Sequence, residues 1–381
     1  MRNAVITNTR RALTSDFVRR DLRVAVVPWI LARVVVVTAL AVARISITEL
    51  GVHGASPAAQ GFFVWDGGWY RSIAEVGYAS LPGEALRFFP LFPLLGRGLG
   101  WALLDHSGVA LVILANVAAL VAGALLHRLA LRETNDGDLA ARASWYLALF
   151  PASLALVLPY GESVLLVAAI GMFLGLRSQR WWVVVPLGIV AGLTRPLGVL
   201  LILPAAIEAA RGFRSAPRSE RVARVSAVVA PGIGAAAYLV WTERVYGGFL
   251  LPFDVQSARR LRGATVDPIT HIVDAFGDAL GSRQFGAVLY LCWVAIFLAV
   301  LVAVARRFAA SYTAYAAAVI LLGLTAENYG SFERYTYATF PVILGVAVLT
   351  RRKDVDRAVV TLGAAGLLAL GVLAFVGKYV P

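Results

Sequence analysis

Apolar positions in this chain fall in long unbroken runs, not at the alternating or three-to-four spacing of half-buried elements. Runs of roughly 15 to 25 residues recur along nearly its whole length, parted by short polar or arginine-bearing stretches. A helix needs about 20 apolar residues to cross the hydrocarbon of a bilayer, so this is the pattern of membrane-spanning helices. It predicts eleven spans, near residues 25–47, 107–127, 143–159, 162–176, 181–194, 196–210, 225–243, 285–305, 309–325, 337–350 and 358–378. The fold class is then an all-α integral membrane protein, a polytopic bundle. Residues 1–24 form a basic arm and 25–380 a single transmembrane domain.

Two runs read as hairpins. Residues 181–210 are interrupted by Thr194-Arg195-Pro196, and residues 143–176 by Pro159-Tyr160-Gly161-Glu162-Ser163. Arms this short fall below the length that crosses a bilayer, so both tips are expected beneath the outer surface. Irregular backbone at that depth is tolerated where it lines protein or a water-filled cavity. Two polar tips therefore predict a cavity open to the outside. Three further segments face the same side: 48–106, 247–284 and 326–336. Within the first, residues 88–104 read as interfacial or re-entrant helix.

Composition agrees with the pattern. The chain of 381 residues is 60% hydrophobic and 15% charged, against about a quarter charged in a soluble domain. The single cysteine, Cys292, excludes an internal disulfide framework, and no Cys/His spacing suggests a zinc site. A formal charge of +13 raises the question of nucleic acid, and its distribution answers it. Of 35 basic residues, 22 lie in the segments 2–23, 128–142, 177–180, 211–224, 306–307 and 351–357, and the rest of the chain is close to neutral. The excess is a positive-inside signal that sets the amino terminus in the cytoplasm, not a polyanion-binding surface. The apolar run after the arm is long and lacks a small-residue cleavage pattern, so it reads as a retained helix. The Ala, Val and Arg bias points to a GC-rich bacterial genome and hence to a bacterial plasma membrane.

The sharpest local feature is Val64-Trp65-Asp66-Gly67-Gly68-Trp69-Tyr70. An acid among Trp65, Trp69 and Tyr70 offers a base beside faces suited to sugar stacking, and Gly67 and Gly68 admit close approach of a ligand. The alternative makes Asp66 the N-cap of a short interfacial helix and the aromatics a membrane-interface belt. Tyr160 and Glu162 lie at one hairpin tip and Arg195 at the other. Arg334 lies in Ser331-Phe332-Glu333-Arg334-Tyr335. An arginine at membrane depth marks a pathway or an anion site, and its planar fork suits phosphate. The alternative pairs Arg195 with Glu162, and Arg334 with Glu333, as structural ion pairs. Arg259, Arg260 and Arg262 break the positive-inside pattern and suit an anionic head group or a solvated loop. Arg33, inside the first run, reads as a snorkelling side chain.

The ordered set of motifs resembles the PIG-V family, the second mannosyltransferase of GPI-anchor synthesis and its bacterial relatives, within the GT-C glycosyltransferases. The resemblance rests on Trp65-Asp66-Gly67-Gly68-Trp69-Tyr70 with Ile73-Ala74 and Gly77-Tyr78, and on Phe88-Phe89-Pro90-Leu91-Phe92-Pro93. It continues through Pro159-Tyr160-Gly161-Glu162-Ser163, Thr194-Arg195-Pro196-Leu197-Gly198 and Arg334-Tyr335, with Gln256, Arg260 and Pro268 matching more loosely. It implies a GT-C fold, a polyprenyl-phosphate mannose donor, a glycolipid or glycan acceptor, and inversion at the anomeric carbon, with Asp66 matching the family's acid. In these relatives a serine often follows the acid; here Gly67 does.

The chemistry then expected is transfer of a sugar from a lipid phosphate at the extracytoplasmic face. Asp66 is the general base, and Arg195 and Arg334 stabilise the departing phosphate. Trp65, Trp69, Tyr70, Tyr160, Glu162, Tyr335 and Arg260 bind substrate. No second carboxylate stands at metal-ligand spacing from Asp66, so no metal and no cofactor are expected. Two rivals remain: a secondary transporter or lipid flippase, and a non-catalytic scaffold in which Asp66, Arg195 and Arg334 do not converge.

Overall fold

The computed structural model describes residues 20–49, 57–259, 261–281 and 285–380. Most of the basic arm, and Arg260, lie outside the described residues. Among those described, every predicted run is helical, and five helices are long and apolar enough to cross a membrane: Leu22–Glu49, Ser107–Thr134, Arg218–Tyr246, Gly286–Arg307 and Lys353–Phe375.

The Leu22–Glu49 helix shows why these segments pack as they do. Its buried face is Ala25, Pro28, Ala32, Val36, Ala39 and Ala43, small residues three or four apart. Without a hydrophobic drive between helices in lipid, close backbone approach supplies the attraction, and small side chains permit it. Gly371 of the last long helix meets this face, where a Cβ would stand 2.9 Å from that of Ala39. The opposite face exposes Val27, Ile30, Val34 and Val37, an apolar stripe that a water-soluble protein would cover.

Several runs break where the sequence pattern was continuous. Residues 143–159 divide into the Gly137–Leu149 helix and a 3₁₀ turn, Pro151–Leu156. Pro151 has no amide to donate and disfavours helical backbone at Phe150, which is extended. Residues 196–210 likewise begin as a 3₁₀ turn, Pro196–Leu201, before Ile202–Ala210. Residues 337–350 shorten to Pro341–Leu349, preceded by a separate turn of helix, Phe332–Tyr337. Residues 181–210 do double back: a Cβ on Gly198 would stand 2.0 Å from the Ala191 carbonyl.

The break after Leu149 also corrects the expectation for Arg33. The side chain does not snorkel. It donates to Leu156 O (3.0 Å), Trp29 O (3.1 Å) and Asn116 Oδ1 (2.8 Å), and Asn116 in turn donates to Val157 O at 3.0 Å. Interrupting a helix at membrane depth frees carbonyls that must find donors, and Arg33 and Asn116 supply them.

Polar contacts gather at two ends of the bundle. At one, Arg177 binds Glu133 (2.9 Å) and Glu208 (3.4 Å), Arg211 and Ser311 also reach Glu208, and Asp21 joins His127 and Arg128. These are the basic segments. At the other, the segments read as outer loops are joined. Asn328 donates to Arg259 O and Leu261 O, Glu327 accepts from the Ala264 amide, and Tyr329 donates to Asp278. The Glu162–Arg177 helix runs from one end to the other, 16 residues or about 24 Å.

Candidate active site

Asp66 opens an 11-residue helix, Asp66–Val76, just after Trp65, whose φ of 56° and ψ of −123° lie outside the regions an L-residue favours. Strain of this kind persists where surrounding contacts hold it. Here the Trp65 indole donates to Ala374 O at 3.1 Å, pinning the turn to the last long helix. Gly67 and Gly68 are required by the chain itself. A Cβ on Gly67 would stand 3.0 Å from Phe62 O and 3.1 Å from Pro159 Cγ, and one on Gly68 2.9 Å from Phe63 O. The close approach at these glycines is made by backbone and by the first hairpin tip.

The Asp66 carboxylate is turned to guanidinium groups. Arg334 Nη1 donates to its Oδ2 at 2.8 Å, and Arg87 Nη2 approaches Oδ1 at 3.5 Å. Arg334 Nε lies 3.5 Å from Glu162 Oε1, and the same carboxylate pairs with Arg195. One chain of charge thus runs Arg87, Asp66, Arg334, Glu162, Arg195. It gathers the first outer segment, both hairpin tips and the 326–336 segment. Asp66, Glu162 and Arg334 are 7%, 1% and 3% exposed. Asp66, Arg87 and Arg195 stand at the cluster's edge.

The structural pairing of Arg195 with Glu162 is present; that of Arg334 with Glu333 is replaced. Arg334 turns to Asp66, and Glu333 accepts from the Tyr379 hydroxyl. Tyr160 is buried and its hydroxyl donates to Val64 O at 3.4 Å. The Arg334 guanidinium lies over the rings of Tyr160 (5.5 Å) and Tyr335 (5.0 Å) and donates to the Tyr335 hydroxyl at 3.2 Å. Arg195 lies over the Tyr335 ring at 5.5 Å. Tyr70 is buried edge-on against Phe88 and Phe92, and its hydroxyl lies against Gly161. Trp69 stacks on Phe88. Arg260 falls outside the described residues. Its neighbour Arg262 donates to Leu322 O and Thr325 Oγ1, fastening the loop to a helix end.

Arg87 escaped sequence reasoning. It is carried by a short 3₁₀ turn, Gly83–Arg87, which Tyr238 holds through Leu86 O (2.8 Å) and Tyr78 through Phe88 O (2.7 Å). The available signal was an arginine on the outer side, immediately before the Phe88-Phe89-Pro90 stretch.

Burial by itself would raise the pKa of Asp66. The charges of Arg334, Arg87 and Arg195, with the Arg334 hydrogen bond, outweigh it and hold the carboxyl below its ordinary value. Glu162 Oε2, Ser163 Oγ and Thr336 Oγ1 are buried without a hydrogen-bond partner, a condition that a bound hydroxyl or water relieves. Among the described residues no three His, Cys, Asp or Glu side chains form a metal-ligand group, and Arg334 lies between Asp66 and Glu162. No protein-family model and no curated protein matches the chain.

Proposed function

We propose that the chain is an inverting glycosyltransferase of a bacterial plasma membrane, resembling the PIG-V family. It transfers a sugar, mannose by that resemblance, from a polyprenyl phosphate to a glycolipid or glycan at the extracytoplasmic face. The observation that carries this reading is the 2.8 Å contact of Asp66 with Arg334 inside a buried cluster of three arginines and two carboxylates. Three guanidinium groups against two carboxylates leave a positive excess, and an excess cation away from water calls for an anion. A lipid phosphate meets that demand, and Arg offers it two parallel donors.

In the reaction proposed, Asp66 takes the proton of the acceptor hydroxyl. The oxygen attacks the anomeric carbon, and the bond from that carbon to the phosphate oxygen breaks. The electron pair leaves with the phosphate, whose added charge falls on Arg334 and Arg195. Inversion follows from a single displacement. The cluster also implies an order. Asp66 with its pKa held down is a weak base. A phosphate that draws Arg334 away from it restores its basicity, so donor binds before acceptor.

The test is conversion of labelled polyprenyl-phosphate mannose into a new glycolipid or glycan by the reconstituted protein, with Asp66→Ala as the control. Product formation at the wild-type rate by Asp66→Ala overturns the assignment. A transporter reading draws on one observation, helices broken around buried charges at Tyr160–Glu162 and Thr194–Pro196. It predicts movement of the labelled lipid across sealed vesicles with no new product.

A further inference from the structure

At the end of the bundle that gathers the basic segments, a cavity of about 460 Å³ opens between the starts of two helices. Gln179, Arg180, Trp181 and Trp182 line it from the Trp181–Thr194 side, and Ser219 and Glu220 from the Arg218–Tyr246 side. It stands a full helix away from Arg195, 14 residues or about 21 Å. Nothing in the proposed transfer chemistry uses it.

The two helices are parallel, and glycine contacts show it. Gly188 lies against Ala230 and Pro231, and Gly192 against Pro231 O and the Ala235 amide. Gly234 in turn lies against Ile189 O. Contact positions advance together along both chains, so both amino-terminal ends, with their positive dipole ends, meet at the cavity. The nearby charges add to this. Glu220 is neutralised by Arg224, which donates to it at 2.7 Å and 3.0 Å. Arg180 is exposed and has no carboxylate partner among the described residues. Trp181 is 4% exposed, and its Nε1–H meets no acceptor. The site therefore favours an anion.

An apolar stripe leads away from the cavity. Val222, Val225, Val229 and Ile233 follow one face of the Arg218–Tyr246 helix and are exposed, as are Trp182 and Val183 on its neighbour. A soluble anion makes no use of such a stripe, whereas acyl chains lie along it. Basic pockets between helices on the positive side of a membrane protein suit anionic lipid head groups.

We propose that this cavity binds the phosphodiester head group of an anionic phospholipid of the cytoplasmic leaflet, through Arg180 and the positive dipole ends of both helices, with the acyl chains along the valine stripe. The proposal rests on the membrane setting and not on sugar transfer. Native mass spectrometry of the full-length protein, titrated with phosphatidylglycerol, phosphatidylcholine of the same chains, or inorganic phosphate, tests it. Phosphatidylglycerol is expected to be retained at concentrations at least tenfold lower than phosphatidylcholine, by charge selection at a single site. Both Arg180→Glu and Ser219→Trp, which fills the cavity, are expected to abolish that preference while leaving transfer activity at the wild-type level. Equal retention of the two lipids, or a preference that survives both substitutions, overturns the proposal. So does displacement of phosphatidylglycerol by inorganic phosphate, which would make the site one for a free anion. Loss of the sugar-transfer reading leaves all of these outcomes readable.

Discussion

Arg334 Nη1 donates to Asp66 Oδ2 across 2.8 Å, joining side chains 268 positions apart in a setting where both are buried. Each is the other's main neutralising partner, so neither can be removed without leaving a buried charge. This contact decides what substitutions at the site should do.

Asp66→Ala is expected to lower sugar transfer by about 10²- to 10⁴-fold, the usual contribution of a positioned general base. Asp66→Asn keeps the shape and a hydrogen-bond acceptor for Arg334 but cannot take a proton. It should fall as far in kcat while remaining closer to wild type in thermal stability. Rates with labelled donor, measured beside melting curves of both variants, check the pair. Equal kcat for Asn and wild type would remove the base from the mechanism.

The depressed pKa of Asp66 fixes the sign of a pH effect. A carboxyl whose folded pKa is lowered contributes stability above its unfolded value, about 3.9, and that stability is lost as pH falls through the lower folded value. The acid limb of kcat/KM, which reports free enzyme, should therefore lie below about pH 4. The limb of kcat should lie higher, because donor phosphate has taken Arg334 from the carboxylate. Arg334→Gln should move the free-enzyme limb upward. Coincident limbs in wild type would count against donor-first binding.

The helices were legible because lipid imposes a simple rule on sequence: a run apolar on every side has no soluble alternative. Their breaks were less so. Pro151 and Pro341 each stand where one falls, at the start of the element that follows, yet the runs around them read as continuous. The hairpin at Thr194–Pro196 was legible from arginines on both flanks. Asp66 was singled out by the aromatic residues around it, Glu162 by its place at a hairpin tip, and Arg195 and Arg334 as arginines at membrane depth, yet their order of pairing was not legible. That order depends on which segment ends lie adjacent, and spacing along the chain carries no such information. Arg334 had Glu333 beside it in sequence, but neighbours on one helix turn point apart. Arg33 was misjudged for a related reason: the carbonyls it serves belong to a break more than a hundred residues away.

Gly192 tests the helix packing independently of any activity. A Cβ there would stand 2.0 Å from Pro231 O and 2.9 Å from the Ala235 amide, and backbone cannot swing aside. Gly192→Ala should force the two parallel helices apart and destabilise by about 1–3 kcal/mol, the range for overpacking. Gly232→Ala meets only Ile202 Cδ1, at 3.4 Å, and should lie within about 1 kcal/mol of wild type. Melting temperatures of the purified variants compare them directly. Equal destabilisation would mean that the glycine contact does not set the helix spacing.

Tyr379 and Glu333 give a second pH test with the opposite sign. Glu333 is 3% exposed and accepts a hydrogen bond from the Tyr379 hydroxyl. Burial raises its pKa above the ordinary value, and the Tyr379 bond only partly offsets this. A carboxyl with a raised folded pKa contributes stability that is complete below its unfolded value, about 4.3, and lost as pH rises through the folded one. Tyr379→Phe removes a donor that favours the ionised form, so the folded pKa should climb further. The variant's deficit against wild type should be small near pH 5 and grow toward pH 8, reaching about 1–3 kcal/mol for an ionised group left unsatisfied. Glu333→Gln combined with Tyr379→Phe has no carboxyl to ionise, so its deficit against wild type should instead shrink as pH rises, by the stability that wild-type Glu333 loses. Melting curves of the three proteins at the two pH values suffice. A Tyr379→Phe deficit independent of pH would show that the tyrosine acts by packing alone, and that Glu333 is held away from Arg334 by the fold of the Phe332–Tyr337 turn.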